Sequence, residues 1–189
     1  MARLYLLAAS CNVWVLVLIL ASAFGAQLIF GEPPCPLCVV QRIAFMMCAL
    51  GPVYTLVQSR ANVLSYRAIA IGSGISIVSA LLGAAAATRQ MLLHILPGDR
   101  GFGSPLLGLH LYTWSLIAFI CQIAATGLML ISSAWIEEKS VPPQAANVTV
   151  VAFLVIVVTN LLSVIAEAGF NGNYRPIPSG IYCLNELLI

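Results

Sequence analysis

The chain has 189 residues, of which 61% are hydrophobic and only 7% are charged, and its net charge at neutral pH is +2. Soluble domains carry about 25% charged residues, so this composition excludes an ordinary soluble protein. The small net charge and the absence of a basic cluster in the sequence argue against nucleic acid as a partner.

Five apolar segments follow one another along the chain, each near the length of about 20 residues that a helix needs to cross a bilayer. They are continuously apolar, whereas transmembrane β-strands alternate, and no polar linker between them is long enough to separate domains. We therefore predict an all-α integral membrane protein that forms one bundle. The predicted spans run from about Leu6 to Phe30, Cys38 to Val57, Ala68 to Ala87, Leu109 to Trp135 and Val148 to Ile165.

The first segment has features of a signal peptide as well as of a span. Arg3 precedes it, and the stretch from Ala21 to Ala26 offers small residues of the kind that signal peptidase accepts. The apolar run is longer than a typical signal sequence, however, and it continues almost to a pair of cysteines. We therefore expect this segment to be retained as the first span.

A cysteine pair lies between the first two segments, where residues 32–42 read EPPCPLCVVQR and include Cys35 and Cys38. Two residues between cysteines at the start of a helix allow a reversible disulfide, and a helix N-terminus favours the thiolate of the first cysteine. A structural zinc site uses the same spacing but needs two further ligands, and the sequence has two histidines and no second cysteine pair. We therefore predict a redox-active disulfide and no metal, with an inert disulfide as the alternative.

Two further side chains are candidates for the same site. Arg42 lies one helical turn beyond Cys38, and a charge inside the bilayer is costly unless it has a partner. The partner could be a thiolate or a reduced ring oxygen, or the arginine could extend to the lipid headgroups. His94, a few residues past the third segment, could donate a hydrogen bond to a ring carbonyl or be an ordinary interfacial histidine.

The third segment is rich in small residues, which would let neighbouring helices approach closely. These residues are Gly72, Gly74, Ser76, Ser79, Ala80 and Gly83.

The remaining cysteines fall into two groups. Cys11, Cys48 and Cys121 lie within apolar segments, and we expect them to be small buried hydrophobic residues. Cys183 lies in the tail after the fifth segment and is either a partner in a mixed disulfide or an incidental residue.

The distribution of positive charges gives the orientation. Short loops with lysine and arginine stay in the cytoplasm, and the loop with Arg60 and Arg67 weighs most. With the N-terminus inside, Cys35, Cys38 and Cys183 all lie on the outer, oxidising face. The inner residues are then Arg3, Arg60, Arg67 and Lys139, and the outer ones are Arg89, Arg100 and Arg175.

The stretch PCPLCVVQR, from Pro34 to Arg42, resembles the signature of the DsbB family of disulfide bond formation proteins. The stretch RQMLLH that ends at His94, and LLGL with Trp114 at the fourth segment, resemble the same family. The resemblance covers residues 5–135. It implies a DsbB-like four-helix membrane bundle in residues 1–135, so that residues 136–189 form a cytoplasmic linker, a fifth transmembrane helix and an outer-face tail.

The resemblance also implies a function. In this family a quinone, ubiquinone or menaquinone, binds near the position of Cys38, with Arg42 and His94 close to it. The cysteines pass electrons from a periplasmic thioredoxin-like (DsbA-like) thiol oxidase, or another thiol protein, to the quinone in the bacterial inner membrane. We expect Cys38 to react with the quinone and Cys35, as the more exposed sulfur, to receive electrons from the donor.

One departure from the family pattern keeps a second hypothesis open. The family has another cysteine pair in the outer loop before the fourth span, whereas residues 96–105 read LPGDRGFGSP. Cys183 could replace that pair. Alternatively, the protein is a non-catalytic membrane scaffold with a structural Cys35–Cys38 disulfide, although a scaffold has little use for Arg42. A small transporter is disfavoured because the sequence shows no pair of interrupted helices.

Overall fold

In a computed structural model, the chain forms five long helices, described over residues 2–30, 35–61, 64–96, 101, 105–135 and 144–168. All five are long and apolar enough to cross a membrane, so the predicted all-α, multi-pass architecture is confirmed. A short 3-10 turn, Ser133–Trp135, extends the fourth helix. The helices are α1 Ala2–Phe30, α2 Pro36–Ala61, α3 Tyr66–Leu93, α4 Leu111–Ser132 and α5 Gln144–Ala168.

The first helix contributes one side of the core. Ala9, Val13, Leu16 and Leu20 recur at helical spacing along α1 and are at most 1% exposed. Helix α1 is therefore packed into the bundle along this stripe.

Helices α2 and α3 pack most extensively against each other, and two glycines permit their closest approach. A side-chain carbon added to Gly51 would meet the backbone carbonyl of Gly72, and one added to Gly72 would meet that of Gly51. The Ser76 hydroxyl donates across the same contact to the Cys48 carbonyl oxygen at 2.9 Å. The small residues of the third segment therefore do form an interface, although Gly74 faces open space.

Helix α4 packs on α3 by the same use of a small residue. The Phe119 ring lies directly over Gly83, where an added side-chain carbon would overlap it. The same ring stacks on Phe45 of α2, with 4.0 Å between ring centroids. Gly83 and this aromatic pair thus join α2, α3 and α4.

A buried polar cluster in the bundle joins α1 to α4. The side-chain amides of Asn12 and Gln122 exchange two hydrogen bonds of 3.1 Å each. The Gln122 amide nitrogen, which has one further hydrogen to donate, also lies 3.0 and 3.1 Å from the hydroxyls of Ser76 and Thr126. Hydrogen bonds between helices stabilise membrane bundles by about 0.6 kcal/mol each on average.

The fourth helix begins at Leu111, two residues later than predicted. Leu106 and Leu109 pair their backbone groups across a tight turn, with N–H to carbonyl oxygen distances of 2.8 and 3.1 Å. Gly108 in that turn has φ +81°, a conformation that glycine adopts without strain. The Leu109 amide is therefore committed to the turn, and His110 occupies the N-cap position.

Two of the three intramembrane cysteines were assigned to the wrong environment. Cys48 is buried as expected, but Cys11 and Cys121 are exposed on the outer surface of the bundle. Lipid is as apolar as a protein core, so hydrophobic residues on either side of these cysteines do not distinguish the inward face from the outward one.

The fifth helix packs against α1 and α2. Phe153 is 3% exposed and belongs to the central hydrophobic cluster. Thr149 and Asn160 are also buried, at 2% and 1% exposure. Helix α5 is therefore an integral part of the bundle.

Candidate functional site

The cysteine pair lies where α2 begins. Cys35 directly precedes the helix, and its carbonyl oxygen accepts the Val39 amide at 3.1 Å. Its sulfur accepts the Cys38 amide at 3.2 Å and so occupies the place of an N-cap acceptor. The two sulfur atoms are 2.7 Å apart. The two cysteines are therefore placed for a disulfide bond to form between them.

The relative exposure of the two cysteines is the reverse of the sequence prediction. Cys35 is only 4% exposed, whereas Cys38 is half-buried. The expectation that Cys35 is the more exposed sulfur is therefore wrong. Its sulfur turns back against the first turn of α2 and against α3, where it accepts hydrogen bonds from both helices.

Gln90, in the last turn of α3, contacts both thiols. Its side chain is 1% exposed, and its amide nitrogen lies 3.3 Å from the Cys35 sulfur and 3.5 Å from the Cys38 sulfur. Its amide oxygen accepts a 2.7 Å bond from the Gln41 side chain. Gln41 is itself buried, three residues after Cys38 on α2. Two linked amides therefore form the wall of the site behind the thiols.

Neither glutamine was predicted from the sequence as a site residue. The third span was drawn to end at Ala87, which placed Gln90 outside the membrane, but α3 continues to Leu93. The sequence feature that could have identified them is the i, i+3 spacing of Cys38 and Gln41, which puts both side chains on one face of the helix. A buried amide on that face requires a hydrogen-bond partner.

The Arg42 side chain lies against α1. Its guanidinium donates to the Gln27 side-chain oxygen at 2.6 Å and to the Ala23 carbonyl oxygen at 3.0 Å. The residue is 8% exposed, so the alternative that it extends to the lipid headgroups is wrong. Arg42 lies four residues after Cys38, one turn along α2. The Gln27 amide nitrogen in turn donates to the Ser163 hydroxyl on α5 at 3.2 Å.

His94 lies one turn beyond Gln90, at the C-cap of α3. Its ring is half-buried and stacks on Tyr112 of α4, with 5.8 Å between centroids. Tyr112 stacks in turn on His110 at 5.3 Å. His94 is thus at the same end of the bundle as the cysteine pair, where α3 meets α4.

The other predictions about the site concern Cys183 and metals. Cys183 lies outside the described residues. Among the residues that are described, no group of three or more histidine, cysteine, aspartate and glutamate side chains is arranged to hold a metal ion.

Comparison with known proteins gives a consistent set of similarities. A family model described as "Disulfide bond formation protein DsbB" matches residues 3–102. "Disulfide bond formation protein B 2" of Burkholderia lata is 29% identical over 149 residues, covering 63% of this chain and 84% of the relative. "Disulfide bond formation protein B 1" of Pseudomonas fluorescens is 26% identical over 56% of this chain and 77% of the relative. A shorter match, to "Disulfide bond formation protein B" of Hahella chejuensis, is 36% identical over 78 residues, 41% of this chain and 45% of the relative. No solved structure matches significantly.

Proposed function

Because this chain belongs to the DsbB family of disulfide bond formation proteins, we propose that it is a membrane protein dithiol:quinone oxidoreductase. Cys35 and Cys38 give up two electrons and two protons to form a disulfide, which then oxidises a thiol protein. The observation that carries the proposal is the pair of sulfur atoms 2.7 Å apart, both against the Gln90 amide in the membrane-embedded bundle.

The residues around the thiols suit the reaction. A hydrogen bond from an N–H group to a thiolate is charge-assisted and stronger than one to a neutral thiol, so Gln90 would stabilise the reactive form of either sulfur. A positive charge near a thiolate favours the ionised form, so Arg42, one turn after Cys38 on α2, would act in the same sense. Cys38, the less buried of the two sulfurs, is the one we assign to the reaction with the electron acceptor. Cys35 then closes the disulfide.

The hydrogen-bond donors around the site support the quinone part of the proposal. Ring carbonyl oxygens need hydrogen-bond donors, and Gln90, Gln41, Arg42 and His94 all carry N–H groups at this end of the bundle. A bound ubiquinone or menaquinone supplies an acceptor for two electrons and two protons. Arg42 and His94 are the residues that we assign to holding its ring oxygens, as the resemblance implies.

The location of the protein is part of the proposal. The five candidate spans make it a multi-pass membrane protein, and we place it in the bacterial inner membrane with the cysteines on the periplasmic face. Residues 1–135 carry the four-helix unit with the site, and residues 136–189 add the cytoplasmic linker, α5 and the outer-face tail. The electron donor is a thioredoxin-like thiol oxidase or another thiol protein.

The decisive experiment is thiol trapping of Cys35 and Cys38 in native membranes with quinone present, depleted and restored. We expect the pair to become reduced on depletion and to be reoxidised when quinone returns. Cys121 is a control, because it lies in the middle of α4, away from the pair, and after denaturation it should label equally in all three states. A pair that stays oxidised throughout would overturn the proposal and favour a scaffold with a structural disulfide.

The route from the thiol donor is tested by Cys183→Ser. If Cys183 replaces the missing loop pair, the variant loses turnover with the donor while added quinone still reoxidises Cys35 and Cys38. If the donor exchanges directly with the pair, the variant turns over at the wild-type rate. Both rates are measured on the full chain in proteoliposomes.

A further inference from the structure

Helix α5 contacts the site through a continuous set of hydrogen bonds. Arg42 on α2 donates to Gln27 on α1, and Gln27 donates to Ser163 on α5, over distances of 2.6 and 3.2 Å. The four-helix bundle that the family resemblance implies does not include this helix. The fifth helix is thus joined to a charged residue one turn away from the reactive sulfur.

The two ends of the Gln27 amide are bonded to different helices, its oxygen to Arg42 on α2 and its nitrogen to Ser163 on α5. A guanidinium carries only donors, so it must face the oxygen end of the amide. The nitrogen end is then directed at α5, where the Ser163 hydroxyl accepts it. Without that acceptor, the Gln27 side chain loses a hydrogen bond that holds it in place, so its oxygen can shift relative to the guanidinium.

The inward face of α5 is polar at the same level. Asn160, one turn before Ser163, is 1% exposed and donates to the Ile156 carbonyl oxygen at 2.8 Å. Its side-chain oxygen is buried and has no hydrogen-bond partner among the described residues. Buried polar groups are costly in a bilayer, so a helix that served only as an anchor would carry aliphatic residues here.

We propose that Ser163 is a positioning residue that fixes the Gln27 amide and thereby fixes the position of the Arg42 guanidinium, one helical turn after Cys38 on α2. Helix α5 then contributes a side chain, Ser163, to the organisation of the redox site. The inference rests on the proposed function for the role of Arg42 at the thiols, but the geometry it describes concerns only residues of this chain.

The test measures how fast N-ethylmaleimide alkylates Cys38 in the full-length protein, in a Cys35→Ser background and at fixed pH. Mass spectrometry of the peptide that carries Cys38 separates it from the other cysteines. We expect Ser163→Ala to slow alkylation about threefold to tenfold, and Ser163→Thr to restore it. Thr159→Ala is the matched control, because the Thr159 hydroxyl bonds only to the Val155 carbonyl oxygen of its own helix among the bonds described.

A double-mutant cycle shows whether the effect passes through Arg42. In an Arg42→Met background, Ser163→Ala should have no further effect; if that background does not fold, Gln27→Leu serves in its place. An equal slowing in both backgrounds, or no difference between Ser163→Ala and Thr159→Ala, would overturn the proposal. The assay contains neither quinone nor thiol donor. Coupling in the cycle together with absent quinone reduction would therefore reject the proposed function while upholding the positioning role.

Discussion

Replacing Gln90 with leucine lowers the rate of quinone-dependent oxidation of Cys35 and Cys38 by about 10- to 100-fold. The Gln90 amide lies within 3.5 Å of both sulfurs. A hydrogen bond to a charged group contributes about 1.5–3 kcal/mol, and each 1.4 kcal/mol corresponds to a tenfold change in rate. Leucine fills a similar volume without any donor, so the thiolate loses the hydrogen bond from Gln90. The buried Gln41 amide also loses its acceptor, and the unfolding curve measures that cost separately.

The oxidation rate of each variant is measured in proteoliposomes with a short-chain quinone. A thermal unfolding curve is recorded for the same variant. Gln58→Leu is the matched control, because Gln58 is an exposed glutamine on the same helix as the cysteines but far from them. We expect Gln58→Leu to leave the rate unchanged. A Gln90→Leu protein that is folded and turns over at the wild-type rate would show that Gln90 only fills space.

Replacing Gly51 with alanine destabilises the bundle by about 1–3 kcal/mol, the usual cost of inserting a carbon into a well-packed interface. The new side-chain carbon would overlap the Gly72 carbonyl oxygen, so α2 and α3 must move apart. The same two helices carry the cysteines and Gln90. We therefore expect oxidation of the thiol pair to slow together with the loss of stability.

The stability of the Gly51→Ala variant is compared with that of the wild type by thermal unfolding of the purified proteins in detergent. Gly74→Ala is the control. Gly74 has nothing within 4 Å of an added side-chain carbon, and alanine is a better helix former than glycine. Gly74→Ala should thus be as stable as the wild type or more so. Equal stability of the Gly51 and Gly74 variants would contradict the close contact between α2 and α3.

The spans and the cysteine pair were predictable because each is a local property of the sequence. A continuous apolar run identifies a helix that crosses the membrane, and the spacing of Cys35 and Cys38 places two sulfurs within reach of each other at a helix start. The need of Arg42 for a buried partner was likewise evident from its charge. The structure supplies that partner as the Gln27 side chain and the Ala23 carbonyl oxygen.

The remaining features depend on how the helices pack, which an evenly apolar sequence does not encode. The contact of Gln90 with the thiols requires α2 and α3 to meet in one register, and that register is set by the paired glycines. The greater burial of Cys35 follows from its contacts with the Cys38 amide and Gln90. The outward positions of Cys11 and Cys121 follow from the rotation of helices that carry apolar residues on every side.

The hydrogen bonds around Arg42 also imply an order of assembly during synthesis, which proceeds from the N-terminus. Once α1 and α2 have emerged, the guanidinium can already bond to Gln27 and to the Ala23 carbonyl oxygen, so the arginine enters the lipid with partners. Ser163 becomes available only after α3, α4 and most of α5 have been made. If Ser163 positions the arginine as proposed, a nascent chain carries both thiols and the arginine before Gln27 has its bond to α5, and the site is complete only when α5 arrives.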